Sequence, residues 1–163
     1  MKQVKLQPIT RDEFANFGEF YAMTSPDGYP LCGAIHKFYP DRMTTACKGR
    51  LAFSPLVVSK PERMVITQQE YHVTAEEIIL PLDDDMILHV TPASGGKIAT
   101  DHTKAFLVPK NTLVKLKAAI WHLAPLPATR EKLTALIILP ECTYAIDCPV
   151  VDLASDEQFE IVM

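Results

Sequence analysis

A chain of 163 residues is long enough to bury a sizeable core without disulfide or metal staples, and 48% apolar with 22% charged residues is the balance of an ordinary globular domain. A net charge of −4 excludes the surplus of Lys and Arg that a nucleic-acid partner requires, and no apolar run approaches the roughly 18 residues needed to cross a bilayer. The opening Met1-Lys2-Gln3-Val4-Lys5-Leu6 lacks the apolar core of a signal peptide, so the expected location is the cytoplasm, with Cys32, Cys47, Cys142 and Cys148 as free thiols.

Thirteen prolines against six glycines mark the ends of many short elements, because Pro fits neither a helix interior nor a central strand. The clearest helix is near the start. Thr10-Arg11-Asp12-Glu13 reads as a capping box, Phe14 and Phe17 share a face, and Gly18 is placed to stop the helix in a left-handed conformation. This short helix is expected to cover one end of a barrel. Residues 21–49 are the least legible stretch, with Ser25-Pro26-Asp27-Gly28 a turn in an irregular connection.

From Leu51 the pattern turns strand-like. Leu51–Phe53, Leu56–Val58 and Met64–Thr67 are β-branched or aromatic runs broken by Pro. Tyr71–Leu82 and Met86–Val90 flank Asp83-Asp84-Asp85 and predict a hairpin, and Ser94–Lys97 predicts a turn. Ala105–Val108 and Thr112–Leu116, joined through Lys110-Asn111, predict a second hairpin, and Leu133–Leu139 a further strand. The acidic tail allows either a short helix from Ser155 or an edge strand containing Phe159 and Ile161. Strands without intervening helices imply an all-β sandwich or barrel, here a single domain over 1–163 with one short N-terminal helix.

Small barrels bind small molecules in their mouths. The polar residues available for that role are Glu70, His72, Glu77, His89, Lys117, Trp121 and His122, with Lys60 and Arg63 behind them. His72 and Glu77 are five residues apart, so they share a pocket if the strand bends or begins after the His. Two imidazoles and a carboxylate can hold a divalent metal with coordination positions left open.

His72, Glu77 and His122 also resemble the reduced ligand set of the cupin superfamily, whose first motif runs His, four residues, Glu, six residues and a turn glycine. Asp84 stands in the glycine's place and Glu70 in that of a His two residues before His72, while Lys117 and Ala119 replace the second motif's proline and glycine. The resemblance implies a cupin-like jelly-roll β-barrel, with His72, Glu77 and His122 as the ligands if a metal is bound. A closer likeness is to the ureidoglycolate lyase (ureidoglycolate hydrolase) family. Residues 5–18, Glu70–Glu77, Lys104–Leu107, Ile120–His122 and Cys148–Asp152 resemble its segments in order. Tyr71 stands where that family has Arg, Glu77 where it has Gln, and Lys117 where it has His.

That resemblance implies a lyase breaking the carbon–nitrogen bond of a ureidoglycolate-like carboxylate to give glyoxylate and urea, with a place in allantoin degradation within purine catabolism and a homodimeric state. Such chemistry needs a base, an acid and a cation for the carboxylate. The residues assigned on the resemblance are His122, Glu77 and His72 with Lys117 as clamp or acid for catalysis, and Tyr71, Trp121 and Lys60 for substrate binding. The other readings are a metal-dependent cupin enzyme of different specificity, for which Glu77 restores a ligand that the lyases lack, and a non-catalytic small-molecule-binding cupin.

Overall fold

Strands dominate and proline keeps the helices short, but Pro55 does not break the expected runs around it: Leu51–Ser59 is one strand, at a sheet edge where proline is tolerated. A computed structural model describes residues 1–95 and 97–163, so Gly96 in the expected Ser94–Lys97 turn lies outside the described residues. The early strands are β1 (Lys2–Pro8), β2 (Gly18–Ala22), β3 (Leu31–Cys32), β4 (Lys37–Phe38), β5 (Leu51–Ser59), β6 (Val65–Ile66), β7 (Gln68–Glu70) and β8 (Glu77–Pro81). They are followed by β9 (Met86–Thr91), β10 (Lys104–Val108), β11 (Thr112–Leu116), β12 (Trp121–His122), β13 (Leu126–Pro127), β14 (Lys132–Pro140), β15 (Val150–Asp152) and β16 (Phe159–Val162). The helices α1 (Arg11–Phe14) and α2 (Thr143–Ile146) are four residues each.

Pairing is nested: β5 with β14, β7 with β12, β8 with β11 and β9 with β10, all antiparallel. Such a folded-over hairpin deals its strands alternately into two sheets, here β2-β11-β8-β14-β5 and β15-β7-β12-β9-β10-β1-β16-β6. This is a jelly roll, the cupin-like all-β architecture expected. The two predicted hairpins are corrected by it. β8 and β9 lie in different sheets, as do β10 and β11, so Asp83–Asp85 and Lys110-Asn111 are corners between layers and not hairpin loops. Each strand in such a corner buries one face between the layers, which a flat hairpin would leave half wet.

Alternation along β9 builds two apolar clusters. Met86, Leu88 and Val90 face Phe14, Ile79, Phe106, Leu116 and Leu133 between the sheets, whereas Ile87 faces Ala105, Trp121, Phe159 and Ile161 on the larger sheet's other side. Helix α1 forms as expected, with the Thr10 hydroxyl accepting from the Glu13 amide at 3.4 Å, but the Glu13 carboxylate pairs with Lys104 and does not close the capping box. Gly18 is needed for a reason other than a left-handed turn. A Cβ there would stand 1.9 Å from the Lys115 carbonyl oxygen on the paired strand. The C-terminal tail resolves to strand β16, parallel to β1 and with Phe159 and Ile161 buried. Residues 21–49 are a mostly exposed connection that touches the smaller sheet where Thr44 O accepts from Lys115 and the Thr45 hydroxyl donates to Glu76. All four cysteines are free thiols.

Asp84 is a buried tie, not a turn-former alone. Its carboxylate accepts from the amides of Thr129, Arg130 and Asp85 and from the Thr129 hydroxyl, at 2.6–2.9 Å. Burial pushes its pKa up, and these donors more than offset that, leaving it lowered. A depressed carboxyl contributes stability that is present above its unfolded pKa of about 3.9 and is lost as pH falls through the folded value. Asp84→Asn is therefore expected to cost about 3 kcal/mol at neutral pH. In urea unfolding, the gap between the two proteins is expected to narrow below about pH 4; a gap that is constant with pH would mean that the charge is not what holds the corner.

Candidate functional site

Between the sheets, at one end of the first apolar cluster, polar side chains replace apolar ones. Glu77 opens β8 on the smaller sheet and shares the inward face of Ile79. His122 points inward from β12 on the larger sheet, one residue after Trp121, which points outward into the second cluster. His72 follows the end of β7, and residues 73–76 bend before β8 begins, so the chain turns back on itself between the His and the Glu. Two segments remote in sequence thus deliver one imidazole each and a carboxylate to a single buried place.

One nitrogen or oxygen from each of His72, Glu77 and His122 lies within 4.8 Å of the others. His122 Nε2 is 2.6 Å from Glu77 Oε2, and His72 Nε2 is 3.3 Å from the same oxygen. The rings meet edge to face with centroids 5.3 Å apart. His72 Nδ1 lies 2.6 Å from the Asp147 carbonyl and His122 Nδ1 2.9 Å from the Ile120 carbonyl. A carbonyl only accepts, so both Nδ1 atoms carry the proton and both Nε2 atoms face inward. His72 Nε2, His122 Nε2 and Glu77 Oε2 are buried with no hydrogen bond of acceptable geometry.

Electrostatics follow from that convergence. Burial alone would raise the Glu77 carboxyl, but the two imidazoles hold it at about 2, so it is ionised at neutral pH. Burial opposes charge on His72 and His122, yet Glu77 beside them leaves both pKa values raised. Lone pairs facing a carboxylate in a dry place require a positive charge, either protons on the rings or a cation between them.

A short segment closes over this group. The Asp147 carboxylate accepts from the amides of Val73 and Thr74 and from the Thr74 hydroxyl at 2.6–2.8 Å, while its carbonyl holds His72. On the same segment the Tyr144 ring stands edge-on to His72, centroids 6.2 Å apart, and Cys148 Sγ donates to Glu70 Oε2 at 3.2 Å. Tyr144 is 58% exposed, and partial burial with Glu77 and Glu70 nearby raises its phenol, while burial together with Glu70 pushes the Cys148 thiol up to about 12, so both stay protonated. Tyr144, Asp147 and Cys148 were not expected as site residues. Pro140 and Pro149 bracket their segment and mark it as a connection, but no local pattern places it over His72.

Other expected site residues lie elsewhere. Lys117 is exposed and donates from Nζ to the Ala15 carbonyl at 2.6 Å, because Ala119, at φ +64°, turns the chain between Lys117 and His122. Lys60 Nζ donates to the Ala128 carbonyl at 3.0 Å, and Arg63 pairs with Glu160. Tyr71 and Trp121 pack with rings tilted at 50° and centroids 4.2 Å apart in the second cluster, on the face opposite His72 and His122, as strand alternation dictates for their immediate neighbours. His89 faces that side too, packed on Phe159 and 3.3 Å from Gln69, with burial and then the charge of His122 lowering it to about 3. No helix among the described residues is long and apolar enough to cross a membrane.

Residues 59–158 match the family model described as "Domain of unknown function (DUF4867)". A ureidoglycolate lyase of Mesorhizobium japonicum is 27% identical over 127 residues, which cover 75% of this chain and 77% of that one. Among solved structures, a dTDP sugar isomerase from Desulfovibrio desulfuricans is similar at TM-score 0.47 and 12% identity over 86% of this chain and 85% of that one. A Bacillus subtilis oxalate decarboxylase variant is similar at TM-score 0.45 and 18% identity, covering 64% of this chain, which spans only 24% of that enzyme. At these scores the strand pairing of the chain itself carries the fold.

Proposed function

This chain belongs to the DUF4867 family, a domain of unknown function, and we propose that it is a metal-dependent enzyme whose divalent ion is held by His72, Glu77 and His122. The observation that carries the reading is the convergence of three buried atoms that lack hydrogen-bond partners, two of them on imidazoles whose other nitrogens are fixed by backbone carbonyls. Carbonyls that orient ligating histidines in this way are a usual companion of metal sites. The donor set fits an ion, with two Nε2 lone pairs, an ionised carboxylate and room in the coordination sphere for substrate oxygen. When bound, such an ion lowers the pKa of a coordinated hydroxyl and polarises a carbonyl.

The specific reaction that we propose is carbon–nitrogen bond cleavage in a ureidoglycolate-like small acid, supported by the relative of that name. The substrate hydroxyl loses its proton, the carbon–nitrogen bond breaks as the carbonyl of glyoxylate forms, and a proton is delivered to the departing urea nitrogen. With its Nε2 offered to the ion and its Nδ1 proton held by the Ile120 carbonyl, His122 acts in this reading as a neutral ligand that fixes the centre, and the proton lost by the substrate hydroxyl is the one that the departing nitrogen gains. Lys117 and Lys60 donate to carbonyl oxygens away from the cluster, so an ion held by His72, Glu77 and His122 would supply positive charge for the substrate carboxylate.

Elemental analysis of protein purified without chelator is expected to show near-stoichiometric transition metal. After stripping, restored metal is expected to return urea and glyoxylate release. Protein that retains no metal, and gains no thermal stability from added Mn2+, Fe2+, Co2+, Ni2+ or Zn2+, would overturn the metal reading. Metal binding without urea release would leave that reading standing and remove the lyase.

A further inference from the structure

We infer that Glu70 is the fourth protein group of the centre, making it a set of two imidazoles and two carboxylates suited to a hard divalent ion such as Mn2+. The inference rests on the metal reading above and extends it to a pocket candidate that was not among the proposed ligands.

Three observations carry it. Glu70 is the direct antiparallel partner of His122, so the two side chains stand on the same face of the larger sheet as nearest cross-strand neighbours. The alternation that sends Tyr71 outward sends Glu70 and His72 inward on either side of it. Glu70 Oε1 is 4.0 Å from His122 Nε2, the inward atom that also faces Glu77, and the Glu70 side chain is only 16% exposed.

Charge makes this placement hard to explain without a cation. Two carboxylates share one imidazole at a mostly buried spot, and among the described residues no Lys or Arg lies within ion-pairing distance of either. Among the described residues the only side-chain hydrogen bond to Glu70 comes from the Cys148 thiol on Oε2, which leaves Oε1 facing His122. Glu70 lies outside the 4.8 Å group of His72, Glu77 and His122, so as a ligand it would close in by rotation of its side chain. One divalent ion offsets both negative charges while the imidazoles stay neutral. Carboxylate oxygens favour Mg2+, Ca2+ and Mn2+, whereas imidazole suits Zn2+, Cu2+, Fe2+ and Ni2+, so the second carboxylate shifts preference toward Mn2+.

The test is calorimetric titration of Mn2+ and, separately, Zn2+ into chelator-stripped protein, with the visible spectrum of the Co2+-loaded form as a second readout. Glu70→Gln keeps the shape of the side chain and an acceptor for the thiol. It is expected to weaken Mn2+ by at least about thirtyfold and Zn2+ by less than about fivefold, and to change the Co2+ spectrum. Cys148→Ala, which removes the thiol but leaves the carboxylate, is expected to keep Mn2+ affinity within about threefold. Equal loss of both metals in Glu70→Gln with an unchanged Co2+ spectrum would make Glu70 a structural neighbour only, and so would a Cys148→Ala loss as large as that of Glu70→Gln. Unchanged Mn2+ binding in Glu70→Gln, with binding abolished in His72→Ala, overturns this inference alone. A parent protein that binds neither metal overturns the reading beneath it. Should Glu70→Gln not fold, Glu70→Asp, which keeps the charge but withdraws the oxygens, is expected to show the same ordering of losses.

Discussion

Chelator-stripped His122→Ala protein is expected to bind divalent metal at least about a hundredfold more weakly than the parent, and its urea-releasing turnover is expected to fall by at least as much. His122 supplies the shortest contact in the cluster, 2.6 Å from Glu77, and comes from the opposite sheet, so no neighbouring residue can slide into its place. Removing it also leaves the buried Glu77 carboxylate facing His72 alone at 3.3 Å. Taking away one partner of a buried charged pair costs about 3 kcal/mol, so the metal-free variant is also expected to unfold at lower urea. The two effects are separable, because affinity is read by calorimetry on folded protein and stability by denaturation without metal. Metal affinity within threefold of the parent would remove His122 from the ligand set, whatever happens to stability. Metal affinity lost with turnover intact would instead leave His122 a ligand of an ion that the reaction does not use.

The residues that carry this prediction are also the ones most legible in the linear chain. His72 and Glu77 are close in sequence, and a bend at residues 73–76 is all that is needed to bring them together. His122 is distant, but the alternation that buries Trp121 on one face fixes His122 on the other. The all-β architecture follows from proline punctuation, yet the sheet to which each strand belongs does not. Asp83–Asp85 and Lys110-Asn111 look the same in sequence whether they close a hairpin or turn a corner between layers, and only the nested long-range pairing decides. The two lysines and the two aromatics lie away from the His72–Glu77–His122 cluster for reasons that the linear chain does not display. Tyr71 and Trp121 are one step of strand alternation from His72 and His122, the left-handed Ala119 lies between Lys117 and His122, and Lys60, at the end of β5, is taken up by the Ala128 carbonyl. Asp147 had no local signal at all, since its partners are Val73 and Thr74, on the opposite side of the fold in sequence terms.

Asp147 nevertheless ranks next to His122 in expected effect. Its carboxylate takes three hydrogen bonds from Val73 and Thr74, and its carbonyl takes the His72 Nδ1 proton, so one residue fixes both the backbone that follows His72 and the direction of the ring. Asp147→Ala keeps the carbonyl but cuts the anchor that positions it. The 143–149 segment is then tied over the cluster mainly by the Cys148–Glu70 contact and the packing of Tyr144 on His72. Losing charge-assisted hydrogen bonds to two amides and a hydroxyl is expected to cost about 3 kcal/mol. An unfixed His72 is expected to weaken metal binding by about ten- to a hundredfold, the range typical of groups that orient a ligand without touching the ion. A purely structural role moves only the first of these quantities. Nitrogen-detected NMR of the imidazoles supplies the direct check, since His72 is expected to lose its slowly exchanging Nδ1 proton in Asp147→Ala while His122, held by Ile120, keeps its own. If the variant is destabilised as expected but binds metal within twofold of the parent and keeps both Nδ1 protons protected, Asp147 is a clasp for the loop and has no part in aiming the histidine.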